Sequence, residues 1–337
     1  MKAKGKRQTT KIESLARALC FACLAVSAIS IQAQAPIRLA IVDPVGDERR
    51  EIASLLQSLA RDSKSPAFEL IDDELLKVAV RGAGYTGSLN LSRDEARALG
   101  QSLGCDFYLL GKVLVTRRAV TNEQFYFEAL AGLFVVETRT GALALFAFDR
   151  DRAGSEQQAQ RQLKDLVSRQ WIRSVDAMIS AREKHAAEIE NVTKSSAPLI
   201  EVFSGDVAAQ GIEPPVFYQR LKPAYTEQAD LAGIAATVEL EVVFGADGKV
   251  GEIEVVRWAG FGLDEPAIAT VRQLRFKPAQ REGKNVTIRG LVRYNFRRPH
   301  AQAAAPQAAS PEEIERIRRS LRDILNPKQL PGRPPSF

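Results

Sequence analysis

Between Thr237 and Phe296 polar and apolar positions alternate, break and alternate again. Thr237 to Phe244 puts Val238, Leu240, Val242 and Phe244 on one side and Glu239 and Glu241 on the other, the period of a half-buried strand. The turn Gly245-Ala-Asp-Gly-Lys249 leads into a second strand, Val250 to Trp258. After a glycine break, Leu263, Ala267, Ile268, Val271 and Leu274 recur at helical spacing, and Val286 to Phe296 reads as a closing strand. The predicted unit is a three-stranded antiparallel sheet with one packed helix, one face covered and the other facing water. A sheet this small leaves a strand at its edge, and a free edge can pair with an extended peptide.

The preceding part has a different rhythm. Short apolar strands at Ile37–Val42 and Phe68–Ile71 alternate with amphipathic helices at Glu51–Arg61 and Asp72–Val80. Ser92-x-x-Glu95 is a capping box for a helix that Gly104 stops. Strands at Cys105–Val115, Phe125–Glu137 and Ala142–Phe148 follow, then a long helix from Glu156 to Ile179. This order predicts an α/β unit with a mixed sheet. The expected organisation is an export segment at 1–35, the α/β domain at 36–180, a linker at 181–212, the small domain at 213–298, and an Ala/Pro-rich stretch at 299–337. Within that last part, Ile314, Ile317, Leu321, Ile324 and Leu325 line a short helix.

The first 35 residues read as a secretory signal. Six basic residues precede an apolar run from Ala18 to Ile31, shorter than the roughly 20 residues a membrane span needs. Cleavage fits after Ala35 or Ala33. The alternative is an uncleaved segment anchored in the inner membrane. The whole chain of 337 residues carries +6, and this segment alone +5, so the remainder is close to neutral and calls for no nucleic-acid partner. Cys20 and Cys23 fall inside the apolar run, leaving Cys105 as the one thiol of the exported part, so no internal disulfide is expected there.

Catalytic chemistry is hard to place. His185 and His300 stand in a charged helix end and a linker, apart from any Cys, Asp or Ser cluster, and read as solvated surface. Gly82-x-Gly84-x-x-Gly87 has the letters of a dinucleotide fingerprint but follows a helix rather than a strand, so a loop is expected. Asp72-Asp-Glu74 suits a helix start. Asn90-Leu-Ser, Asn191-Val-Thr and Asn285-Val-Thr match the glycosylation pattern, which arises often by chance. No enzyme, metal or cofactor is expected.

Two resemblances complete the picture. Leu89-Asn-Leu91, Gly100 to Asp106 and Val135 to Gly141 resemble envelope modules of the TolB amino-terminal and CsgG-like type. Pro223-Ala-Tyr225, Ala232-Gly-Ile234, Asp247-Gly-Lys-Val250, Leu263-Asp-x-x-Ala267, Arg275-Phe-Lys-Pro-Ala279 and Gly283-Lys-x-Val286 together resemble the TonB carboxy-terminal domain family. The family usually has Tyr-Pro where this chain has Tyr225-Thr226, and often glycine where Ala236 stands. The resemblance implies a periplasmic interaction protein that pairs a segment of an outer-membrane transporter or other envelope protein beside its last strand, linked to energy-dependent transport. The contacts would come from Leu291, Val292, Arg293, Tyr294 and Asn295. The alternative is an envelope scaffold that self-associates, as a homodimer, through the same edge. Intact-mass measurement of the exported protein is expected to show an amino terminus at Gln34 or Pro36; a full-length mass would overturn cleavage.

Overall fold

The computed structural model describes residues 35–64, 66–121, 124–192, 202–203 and 210–298. The export segment, His300 and the carboxy-terminal amphipathic stretch lie outside the described residues. Among the described residues no helix is long and apolar enough to cross a membrane.

The first sheet is built from β1 (Ile37–Ile41), β2 (Phe68–Leu70), β3 (Phe107–Thr121), β4 (Gln124–Glu137) and β5 (Leu143–Ala153), in the order β2-β1-β3-β4-β5. The β1 strand is parallel to both neighbours, while β3, β4 and β5 form an antiparallel meander, so the sheet is mixed as its sequence pattern predicts. Its helices are α1 (Glu51–Asp62), α2 (Asp73–Gly82), α3 (Arg93–Leu103) and α4 (Glu156–Val192). The Ser92–Glu95 capping box forms in both directions, and Gly104 ends α3 at φ 65°. Asp72 caps α2 through the amides of Glu74 and Leu75, which accounts for the acidic triplet as a helix start. Gly82 closes α2 and the glycines after it belong to a loop, as expected.

The β5 strand outruns its apolar pattern. Asp149, Arg150, Asp151 and Arg152 continue the ladder opposite Leu130 and its neighbours. Main-chain pairing at an edge is indifferent to side-chain polarity, and these charges find partners across the surface: Asp149 with Gln170, Arg150 with Glu227.

The remaining elements are β6 (Val202–Phe203), β7 (Ile212–Glu213), β8 (Val216–Phe217), α5 (Glu227–Leu231), β9 (Ala236–Phe244), β10 (Val250–Arg257), α6 (Asp264–Arg272), β11 (Phe276–Lys277), β12 (Ala279–Arg281) and β13 (Lys284–Phe296). The expected three antiparallel strands form one end of the sheet as β10-β9-β13, with α6 packed on them. The short strands β12 and β7 extend the sheet, β6 lies alongside β13, and β8 pairs with β11.

Alternation on β4 explains how the two halves meet. Ala129, Ala131, Leu133 and Val135 face α1 and α4, packing with Leu56, Leu166, Trp171 and Met178. Phe134 and Val136 face the other way, into a core shared with Val238, Leu240, Val242, Trp258 and Phe261 of the second sheet. Together with α2 and α3, the carboxy-terminal unit thus supplies the cover that a half-buried sheet needs on its second face.

The key to this contact is the glycine break. Gly260, Phe261 and Gly262 all have positive φ (67°, 50° and 68°). A phenylalanine in that region is disfavoured by about 1–2 kcal/mol. The turn aims its ring between Phe134, Phe146 and Phe148, at centroid separations of 5.8, 4.9 and 5.8 Å. Phe261 is only 1% exposed. Gly132 makes room on β4, since a Cβ there would stand 3.1 Å from the ring. Replacing Phe261 with alanine is expected to lower unfolding stability by about 3–5 kcal/mol, measured by denaturant titration of the full exported chain; a loss under about 1 kcal/mol would show that the aromatic cluster is not what joins the sheets.

Candidate docking edge

The five residues singled out by sequence form one continuous run on β13. Leu291, Val292, Arg293, Tyr294 and Asn295 pair with Glu241, Leu240, Glu239, Val238 and Thr237 of β9, in a register unbroken from Ile288 to Phe296. On the opposite edge β6 pairs in parallel with Thr287 and Ile288, and β12 pairs with Lys284 to Val286. From Arg289 to Phe296 no second strand is paired to β13 among the described residues. A backbone in strand geometry directs half of its N–H and C=O groups to each side, so the outer side of this stretch has no strand partner among the described residues.

The other long edges are less suited to pairing. Register shifts between Val250 and Ile253 and between Val255 and Arg257 interrupt β10. Its far end is also engaged by the amino-terminal unit through an isolated bridge from Ser92 to Arg257. The outer edge of β5 carries the charged run from Asp149 to Arg152. Bulges and edge charges are the usual devices that discourage strand addition.

Two kinds of surface flank the open edge. On the helix side Val292 and Tyr294 are half-buried around Gly290, and burial raises the Tyr294 phenol above its usual range. On the other side stand Arg289, Leu291, Arg293 and Asn295. Leu291 is 57% exposed, an apolar side chain with arginines two places before and after it. Arg293 Nε donates to Glu239 at 2.6 Å, Arg289 Nη1 to Glu241 at 3.1 Å, and the Thr237 hydroxyl to Asn295 Oδ1 at 2.9 Å.

This second face departs from the expected picture of a sheet simply open to water. Glu239 is 8% exposed, held between Arg257 and Arg293. Arg257 in turn reaches Glu95 of α3 at 2.9 Å, and Arg93 pairs with Glu254. A chain of ion pairs therefore ties the face to the amino-terminal unit. Removing one member would strand a buried charge.

Asn90 was visible in sequence as a glycosylation pattern and within Leu89-Asn-Leu91, neither of which points to its role here. In the structure its carboxamide accepts from the Thr237 amide at 2.9 Å and donates to the Thr237 carbonyl at 2.8 Å, mimicking a strand residue at the start of β9. It also donates to the Trp258 carbonyl. Thr226, which stands where the TonB family usually has proline, caps α5 and donates its hydroxyl to the Phe261 carbonyl at 2.6 Å. Asp264 accepts from the amides of Ala259 and Gly260 at 2.9 and 2.8 Å and so fixes the turn that carries Phe261. No periodicity marks these three residues; their partners lie in distant parts of the chain.

Among the described residues no group of three His, Cys, Asp or Glu is arranged to hold a metal. Cys105 is buried, and burial pushes its thiol up to about 11. His185 is half-buried in α4, not fully solvated as its charged surroundings suggested, and its Nδ1 is enclosed without a hydrogen-bond partner.

Residues 222–297 match the family described as Gram-negative bacterial TonB protein C-terminal. The carboxy-terminal unit is a TonB-type domain. The chain is also similar to three solved structures. A hypothetical protein from Chlamydia trachomatis is 10% identical, with 41% of this chain and 96% of that one covered at a TM-score of 0.30. A lipoprotein from Neisseria meningitidis is 15% identical, with 40% and 97% covered at 0.28. TolB from Acinetobacter baumannii is 9% identical, with 72% and 38% covered at 0.24. Overlaps this loose leave the role of the amino-terminal unit to its own residues. No curated protein gives a significant match.

Burial, against the pull of its two amide hydrogen bonds, pushes the Asp264 carboxyl from 3.8 up to about 6. The folded chain therefore takes up this proton at higher pH than the unfolded chain. Stability from this group is fully present below about pH 4 and is lost as pH rises through 6, by no more than about 3 kcal/mol. Asp264→Asn is expected to flatten the stability profile between pH 4 and 7, read by denaturant titration; an unaltered profile would overturn the assignment.

Proposed function

We propose that this is an exported envelope interaction protein. Its TonB-type domain binds an extended segment of an outer-membrane transporter or other envelope protein by adding it as a strand beside Leu291 to Asn295. The observation that carries this reading is the unbroken β13–β9 register, with no strand paired to the far side of Arg289 to Phe296 among the described residues. Main-chain hydrogen bonds would supply affinity, and the Gly290–Val292–Tyr294 and Arg289–Leu291–Arg293 faces would supply selectivity for alternate guest side chains. Such a guest buries far less than the roughly 1,200 Å² of a stable interface, so binding in the micromolar range or weaker is expected. The domain limits given above, with the TonB-type unit at 213–298, belong to this proposal.

One feature favours the alternative of self-association. Antiparallel pairing of two β13 edges centred on Val292 sets Gly290 opposite Tyr294, Leu291 opposite Arg293 and Arg289 opposite Asn295. No like charges face each other directly, and each tyrosine covers a glycine of the other copy.

The two readings separate by experiment on chain 36–337. Peptides from the amino termini of outer-membrane transporters are expected to cause saturable amide shifts and exchange protection confined to 289–296, with the protein remaining monomeric in sedimentation. A concentration-dependent dimer that leaves peptide unbound would replace strand capture with self-association. Neither behaviour would overturn the edge as the functional site.

A further inference from the structure

The seam between the two units contains a cavity of about 400 Å³ on the side of the first sheet where α4 ends. Four elements close around it: the first residue of α3 (Arg93), the β4–β5 turn (Glu137, Arg139), the far part of α4 (Lys184, His185) and β10 (Glu254). Three permanent cations and an imidazole thus surround two carboxylates.

Both carboxylates are already engaged. Glu254 pairs with Arg93, and Glu137 accepts from the Thr140 hydroxyl at 2.5 Å and lies 3.7 Å from Arg139 Nε. Arg97 adds a further cation beside the turn, donating to the Thr140 carbonyl. Burial, and secondarily the charge of Arg97, hold the Arg93 guanidinium below its usual range. Two buried side-chain nitrogens of this lining, Arg93 Nε and His185 Nδ1, have no hydrogen-bond partner. The arginine Nε–H is a donor only, and imidazole Nδ1 is a donor in one tautomer and in the charged form. Buried donors without acceptors are costly and rare in folded proteins. An anion with several acceptor oxygens would satisfy both nitrogens and balance the excess charge. A phosphate group offers several acceptor oxygens, and arginine binds it through charge-assisted, often bidentate hydrogen bonds.

We propose that this seam cavity is a binding site for a phosphate group, held by Arg93, Lys184 and His185. The ligand would bridge α3 and α4 of the amino-terminal unit to β10 of the TonB-type domain. Glu254 stands opposite Glu241, and Glu241 opposite Leu291, so the site lies two strands from the proposed docking edge.

The test titrates chain 36–337 with inorganic phosphate against chloride at matched ionic strength, by calorimetry and thermal shift. A parallel arm uses vesicles of phosphatidylglycerol and phosphatidylcholine. The Lys184→Ala, His185→Ala double variant removes two donors from the end of a helix and is expected to fold normally. Saturable phosphate binding by the parent chain, weakened roughly tenfold or more in the double variant, supports the site. Saturation by inorganic phosphate alone identifies a soluble phosphate compound as the source, whereas saturation that vesicles also produce identifies a lipid headgroup. Absence of saturable binding in both arms, or equal affinity of parent and double variant, overturns the proposal.

Discussion

Phe261, wedged between Phe134, Phe146 and Phe148, is the contact through which two sheets become parts of one core. The first sheet has α1 and α4 on one face, and α2 and α3 over part of the other. Its second face presents three phenylalanines that would otherwise form an exposed apolar patch. The carboxy-terminal unit covers them with a single ring on a left-handed turn. Strain in that turn is offset by the ring's burial, of order 2–3 kcal/mol, and by the hydrogen bonds of Asp264 and Thr226. Gly260 is obligatory on two counts: its φ is positive, and a Cβ would stand 2.6 Å from the Phe134 ring.

This union governs which backbone remains available. Once the units are packed, Asn90, Ser92, Arg93 and Glu95 sit against the far end of β10 and the start of β9. One edge of the second sheet is thereby tied down, while the far side of β13 beyond Ile288 keeps its regular geometry. The TonB-type unit is therefore better described as one wall of a two-sheet body than as a module on a tether. The ion-pair chain from Glu95 through Arg257 and Glu239 to Arg293 links the covered edge to the open one within the same face.

Local patterning made much of this legible. Alternation on β9, the helical spacing of α6, the capping box of α3 and the turn at Gly245–Lys249 are all short-range signals, and each formed as its chemistry required. The run from Leu291 to Asn295 was expected at an edge because a three-stranded unit must have one; the sheet instead continues past β13, whose residues 284–288 pair with β12 and β6. What escaped the sequence was long-range. The interval between Asn90 and Thr237, or between Phe134 and Phe261, carries no period that links them. The short strands β6, β7, β8, β11 and β12 are too brief to show alternation at all. The charged end of β5 defeated an apolar criterion because edge pairing depends on backbone rather than side chains. His185 misled for a related reason: its neighbours in sequence are charged, but its neighbours in space enclose it.

The lengthwise course of β13 has a mechanical corollary. A guest laid along Arg289 to Phe296 and pulled along its own axis would strain its cross-strand hydrogen bonds together, in shear, because those bonds lie across the direction of pull. Peeling from one end would break them singly, at lower force. The load accepted in this way would pass through β9 and the aromatic wedge into the amino-terminal sheet, so that tension at the rim is carried by the whole body rather than by a hinge.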